Sequence, residues 1–390
     1  ITTDPAEGVK KFIGWGVFPK STESVRKITM LVTLGSPDSL PTAHWDYLDH
    51  ILLKRAGGIN GKLYDYELGR IITPYGSIFG KGWKWTWSVD VTDFSLLLRD
   101  SAEIEYSHSG YEPATVGWSL SIAFEIQKGP VVMVPMSIKP MWNGGFRYGD
   151  PENAIENTLK PIAFSTGTKT DIARFRIQQT GHGMDEPKGC SEFCSRWREV
   201  VYDKRSMDHT VLWKNCGNNP LYPQGGTWIY DRADWCPGDL QQPRVYDLAA
   251  KPGQHNIEIK MEPYSATGNI QANESIASFI IEYKQPKAVC DIAIEQIIVP
   301  NNNPNYSRMN PAISNPVIII RNLGRDPLLK ANITYGTKGF DNKTLIWTGN
   351  LGFNKTDTVV LPGNIDFAEG ENNFSVSIKP VGKKDAWLAD

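Results

Sequence analysis

Apolar and polar residues alternate one by one along much of the chain. Trp83, Trp85, Trp87, Val89 and Val91 interleave with Lys84, Thr86, Ser88 and Asp90. Trp118, Leu120, Ile122, Phe124 and Ile126 interleave with Ser119, Ser121, Ala123 and Glu125, and Ile257, Ile259 and Met261 with Glu258 and Lys260. Phe175 and Ile177 do the same against Arg174 and Arg176. Successive side chains on a strand point to opposite faces, so each run predicts a strand with one face on a core and one in water. Gly and Pro interrupt the runs often, and helical periodicity is scarce. The pattern predicts an all-β chain of antiparallel sandwiches or barrels.

Two breaks divide the chain. One falls at Lys128-Gly129-Pro130, the other at Lys284-Gln285-Pro286-Lys287. The expected domains are 1–128, 129–286 and 287–390. The last carries the short runs DIAIEQIIV, PVIIIRN, LLKANITYG, TLIWTG, DTVVLP and NFSVSIK, is rich in Asn and Ile and is poor in Trp. That spacing fits an immunoglobulin-like β-sandwich.

Charge narrows the function. Lys and Arg number 41 against 43 Asp and Glu, for a net charge of -2, so no basic field is available for a nucleic-acid partner. The longest apolar runs, VVMVPM at 131–136 and PVIII at 316–320, are too short to span a bilayer. The chain starts at Ile1 rather than Met, so an export signal could have been removed in processing and would not be visible. Of the five cysteines, Cys190 and Cys194 stand four apart, Cys216 and Cys236 flank a Gly/Pro/Asn-rich stretch, and Cys290 is alone. The first four could supply a zinc site, but the spacing is not that of paired CxxC motifs. Two disulfides and a free thiol fit better and imply an oxidising compartment: periplasm, cell surface or secretion.

Three places could carry chemistry. His44-Trp45-Asp46-Tyr47-Leu48-Asp49-His50 is dense in titratable groups, and Asp46 could serve there as a general base or a metal ligand. A solvated strand end is the plainer reading. Gly181-His182-Gly183 is followed by Cys190-Ser191-Glu192-Phe193-Cys194. If those cysteines are bridged, Glu192 rides on a small rigid loop, as a positioned acid requires; otherwise it is a surface Glu. Trp228 to Gly238 interleaves aromatics with Asp231, Arg232 and Asp234. Aromatic faces stack on sugar rings while Asp and Arg bond hydroxyls, although Arg232 paired with a neighbouring Asp would look the same. No GxSxG, HExxH, P-loop or GxGxxG is present.

These residues resemble the peptide:N-glycosidase F family, bacterial amidases that remove Asn-linked glycans. The resemblance rests on HWDYLDHILL (44–53), ELGRIITPYG (67–76), VDVTDFSLLL (89–98), GHGMDEPKGCSEFC (181–194), CGNNP (216–220) and YDRADWCPG (230–238), in the family's order over about residues 10–285. It implies two adjacent eight-stranded antiparallel jelly-roll sandwiches with the site at their interface, to which the immunoglobulin-like domain is added. It also implies catalytic roles for Asp46 and Glu192, and disulfides Cys190–Cys194 and Cys216–Cys236. Trp45, Arg232, His108, His182 and Asp231 are the implied substrate-binding residues. Three positions depart from the family pattern: Tyr47 replaces an Arg, a second Glu is replaced by His108 or has no counterpart in the 106–111 stretch, and Thr180 replaces a Trp.

The implied reaction is hydrolysis of the amide between Asn and the innermost N-acetylglucosamine, without metal or organic cofactor. N-glycosylated peptides and glycoproteins would be the partners, and the protein would act as a monomer. The competing expectation is a non-catalytic glycan-binding or surface interaction protein on the same fold. A copper monooxygenase is rejected, because the chain has only 6 His and no His-His or His-x-His pair.

Overall fold

The computed structural model describes residues 10–20, 23–56, 63–186, 188–268, 270–309 and 315–388. The chain divides into two compact units, one of residues 1–128 with 135–284, the other of 129–134 with 285–390.

The strands of the first unit, in chain order, are β1 (Lys10–Val17), β2 (Val25–Gly35), β3 (Leu48–Ala56), β4 (Leu63–Ile72), β5 (Lys84–Asp90), β6 (Ser101–His108), β7 (Ser119–Lys128), β8 (Pro135–Arg147), β9 (Ile162–Thr166), β10 (Ile172–His182), β11 (Arg196–Tyr202), β12 (Arg205–Leu212), β13 (Asp239–Leu240), β14 (Arg244–Ala249), β15 (Gly253–Met261) and β16 (Asn273–Tyr283). They form two jelly-roll sandwiches. The first pairs a five-stranded sheet, β1-β6-β3-β4-β13, with a three-stranded one, β5-β2-β7. The second pairs β14-β10-β16-β8 with β12-β11-β15-β9. Every pairing between these strands is antiparallel. The second half lends the first a strand: β13 follows the Trp235-Cys236-Pro237-Gly238 turn and pairs with Ile71 and Ile72 of β4.

Period-two patterning explains the cores. On β2, Ile28, Met30, Val32 and Leu34 are fully buried and alternate with half-buried Lys27, Thr29, Leu31 and Thr33. In the second sandwich Phe175, Ile177, Val200, Ile257 and Ile259 form one buried cluster.

One expectation is corrected here. Arg174 and Arg176 do not face water, because β10 is buried on both faces. Their guanidinium groups cross to the first sandwich and donate to Asp93 at 2.9 and 3.0 Å, and Tyr283 donates to the same carboxylate at 2.5 Å. Burial alone would raise the Asp93 pKa, but the two arginines hold it down at about 2. An alternating strand at a polar interface has the same sequence pattern as one that faces solvent. A third buried arginine, Arg70 of β4, donates to Thr180 Oγ1 at 2.9 Å and to the Ser275 carbonyl at 2.8 Å across the same boundary.

The second unit contains β17 (Ile292–Val299), β18 (Val317–Asn322), β19 (Leu328–Thr337), β20 (Lys343–Leu351), β21 (Thr356–Val360) and β22 (Phe374–Pro380). These make two three-stranded antiparallel sheets, β17-β18-β21 and β20-β19-β22, in an immunoglobulin-like arrangement. Their strands cover the six apolar runs read from the sequence. Ile318, Ile320, Ile333 and Trp347 fill the core between them.

Candidate active site

Asp46 lies immediately before β3, in a segment fixed by Thr73 just beyond β4. The Thr73 hydroxyl donates to the Trp45 carbonyl at 2.6 Å, and the Tyr47 and Thr73 amides complete the clasp at 2.9 Å each. Both backbone neighbours of Asp46 are thereby held. Its carboxylate accepts a 2.9 Å hydrogen bond from the Tyr75 hydroxyl and a 3.4 Å contact from Arg232 Nη2. Burial lifts the Asp46 pKa above the usual carboxylate range, and Arg232 and Tyr75 oppose the rise. Burial and the neighbouring Asp46 push the Tyr75 hydroxyl up to about 12, so it stays a donor at neutral pH.

Glu192 sits on the loop closed by the Cys190–Cys194 disulfide. The loop is tied down on both sides: the Glu192 amide donates to the Gly183 carbonyl at 3.0 Å, and the Ala233 amide donates to the Glu192 carbonyl at 2.9 Å. This close approach explains Gly181. A Cβ there would lie 2.6 Å from Ser191 Oγ and 2.7 Å from the Ala233 Cβ, so a larger residue would push the loop off β10. Burial first, then the charge of Asp46, raises the Glu192 pKa to about 7.

Arg232 joins the two carboxylates. Its side chain is 1% exposed, and Nε donates to Glu192 Oε1 at 3.2 Å while Nη2 reaches Asp46. Nη1 donates to the Tyr230 carbonyl at 2.6 Å, and Nη2 also to the Thr227 carbonyl at 3.3 Å. The guanidinium plane is held by Phe193, 5.1 Å from its ring centroid, and by Trp235, at 5.0 Å. A planar cation gripped on its faces and bonded along its edge cannot swing away from either carboxylate. The Cys216–Cys236 disulfide braces the turn that follows Trp235. With both cysteine pairs bridged, the four-thiolate zinc reading fails; Cys290 is free and buried.

The remaining residues singled out by sequence lie at varying distances from this centre. Trp45 is exposed and meets Tyr75 edge-on. His182 stacks on Trp235 at 5.1 Å and contacts Thr180 Oγ1 through Nε2 at 2.7 Å; burial and nearby Arg70 lower its pKa to about 3. Asp231 uses Oδ1 to accept the Cys216 amide at 3.0 Å, and so shapes the loop. Asp46 and His44 do not share a strand face: His44 precedes the strand and accepts the Ser77 amide. His108, expected to contact substrate, is 0% exposed, and both ring nitrogens are taken by Asp49 and Glu112. Its burial corrects that expectation. Sequence reasoning missed Tyr75, Thr73, Thr227 and Phe193. Tyr75 lay in the TPYG segment that carried the resemblance, but nothing local joins it to Asp46.

Residues 151–281 match the family described as Peptide-N-glycosidase F, C terminal. The chain is similar to peptide-N(4)-(N-acetyl-beta-D-glucosaminyl)asparagine amidase F of Elizabethkingia miricola, at 26% identity over 286 residues, covering 69% of this chain and 77% of that protein. Among solved structures, it resembles a crystal structure of peptide-N(4)-(N-acetyl-beta-D-glucosaminyl)asparagine amidase with a TM-score of 0.62 and 24% identity, over 73% of this chain and 96% of that one. It also resembles PNGase F, a glycosylasparaginase from Flavobacterium meningosepticum, with a TM-score of 0.61 and 25% identity over the same shares of the two chains.

Proposed function

The chain is a peptide-N-glycosidase F-family protein, and on that premise we propose that it hydrolyses the amide between Asn and the innermost N-acetylglucosamine of N-linked glycans. The observation that carries the reading is the convergence of Asp46 and Glu192, from opposite sandwiches, on the single buried Arg232.

The two carboxyl groups divide the work by their environments. Glu192, with a pKa near 7, keeps its proton at neutrality more readily than Asp46, which accepts from both Tyr75 and Arg232. Asp46 is therefore the base that takes a proton from the attacking water. Glu192 is the acid that protonates the departing glycosylamine nitrogen. Water oxygen bonds to the amide carbon, the carbon–nitrogen bond breaks, and the products are an Asp-containing peptide and a 1-amino glycan that later loses ammonia. Arg232 stabilises charge that develops in the transition state. Trp45 offers an exposed aromatic face beside the reacting groups. The two disulfides support a location outside the cytoplasm.

The test is incubation with a pool of N-glycosylated peptides, followed by mass spectrometry of both products. Asn-to-Asp conversion together with released 1-amino glycan is expected. Glycan binding without conversion of any glycopeptide would favour a binding protein instead.

A further inference from the structure

Behind the Asp46 segment lies a buried ionic cluster that the proposed reaction does not use. His108, the last residue of β6, pairs through Nδ1 with Asp49 of β3 at 2.7 Å and through Nε2 with Glu112 at 2.8 Å. All three side chains are at least 97% buried. Asp49 also accepts the Tyr106 hydroxyl and the Ser109 amide, the latter at 3.0 Å, and the Ser109 hydroxyl donates to the Leu48 carbonyl at 2.9 Å. The charged and titratable groups facing His108 are thus Asp49 from β3, Tyr106 from β6, Glu112 from the following loop and Tyr47, whose ring meets the imidazole edge-on at 5.7 Å. Lys10, its partner residue on β1, contributes a buried ammonium that favours the Glu112 carboxylate.

We propose that His108, clamped between Asp49 and Glu112, is a positioning residue: a buried cationic strut that fixes the Leu48–Asp49 end of the segment carrying Asp46, and no part of the surface that meets substrate. This rests on the assignment of Asp46 above. Thr73 anchors one end of the segment and the strut anchors the other, with Tyr47 between them in contact with both. Burial alone would lower the His108 pKa, but its bonds to Asp49 and Glu112 outweigh this and raise it to about 9, so the strut is an ion triplet at neutral pH.

Gly110 is the second observation. A Cβ on Gly110 would lie 2.1 Å from His108 Nε2 and 2.2 Å from Glu112 Oε2. The chain crosses directly over the ion pair, and only glycine leaves the pair room to close. Gly110→Ala therefore forces the strut open without changing any charge.

The experiment uses the full chain with two variants, Gly110→Ala and Glu112→Gln. A strut that aims Asp46 at Tyr75 and Arg232 keeps the Asp46 pKa down through those two bonds. Loosening it should move the acid limb of kcat/KM upward and lower kcat by roughly tenfold in protein shown to be folded, with KM little changed. The sign separates positioning from simple electrostatics. Removing the Glu112 charge would by itself pull the Asp46 titration down, whereas loss of aim pushes it up. The 13C signal of the Asp46 carboxyl, assigned with Asp46→Asn, reads the same shift without turnover, so the inference remains testable if no glycopeptide is converted. An Asp46 titration and kcat that stay at wild-type values in both folded variants would overturn the inference. Full activity in Asp46→Asn would instead overturn the assignment on which it rests.

Discussion

Tyr75 donates a 2.9 Å hydrogen bond to Asp46 Oδ2 and in turn accepts one from Thr227 at 3.3 Å. The buried phenol is held as a donor by its raised pKa, and it favours the charged form of Asp46. Tyr75→Phe keeps the ring against Trp45 and removes only the donor. A hydrogen bond to a charged group contributes about 1.5–3 kcal/mol. The acid limb of the rate profile should therefore rise by about one unit or more. A limb left in place would show that Tyr75 does not govern Asp46.

Arg232→Lys tests the other partner. Lysine keeps the charge but loses the edge that spans Glu192, Asp46 and two carbonyls, and the flat face between Phe193 and Trp235. The expected loss in kcat/KM is on the order of 10²-fold or more, from misaligned carboxylates and weakened charge stabilisation. Steady-state kinetics on one glycopeptide reads it, and a loss below threefold would contradict the role given to the guanidinium.

Glu192 yields a prediction that joins stability to pH. Its folded pKa, about 7, exceeds the ordinary value of 4.5, so the folded state binds its proton more tightly than the unfolded chain does. Stability should fall as pH rises from about 4.5 to 7 and remain lowered above that window. Glu192→Gln removes the ionisation. It should raise Tm at pH 8 more than at pH 4 while lowering kcat, and thermal melts at both pH values check it. An equal change in Tm at both would contradict the burial of this carboxyl.

Asp93 tests the seam between the sandwiches with the opposite sign. Its folded pKa of about 2 lies below the usual 3.8, so its contribution is present above pH 4 and is lost as pH falls toward 2. Asp93→Asn leaves Arg174 and Arg176 without their shared counter-ion. Breaking a buried pair of this kind costs about 3–5 kcal/mol. Urea denaturation at pH 7 should show that loss, and the difference between variant and wild type should shrink in acid. A neutral substitution would mean that the seam does not depend on the ion pairs.

The strands were legible because the period-two pattern of β5, β7 and β15 reports local geometry that each strand imposes on its own residues. The partners of the outward faces were not legible. Arg174 and Arg176 look like solvated residues in sequence, and only the packing of β10 on Asp93 shows otherwise. The site divided the same way. Glu192 between two cysteines is a local signal, and Asp46 and Arg232 stood in recognisable segments. The bond from Tyr75 to Asp46 spans residues that no local pattern links. His108 misled because a position in a matched segment says nothing about which way its side chain points. In this chain it points inward, to Asp49.

The central claim is that Asp46 is the base for amide hydrolysis, and Asp46→Asn tests it with almost no change in shape. Wild type and variant, both checked for folding, are incubated with the same N-glycosylated peptide in 18O-labelled water, and Asn-to-Asp conversion is followed by mass spectrometry. Wild type is predicted to give Asp carrying one label from solvent, and the variant to convert at least ~10²-fold more slowly. Conversion by Asp46→Asn at the wild-type rate would contradict the account.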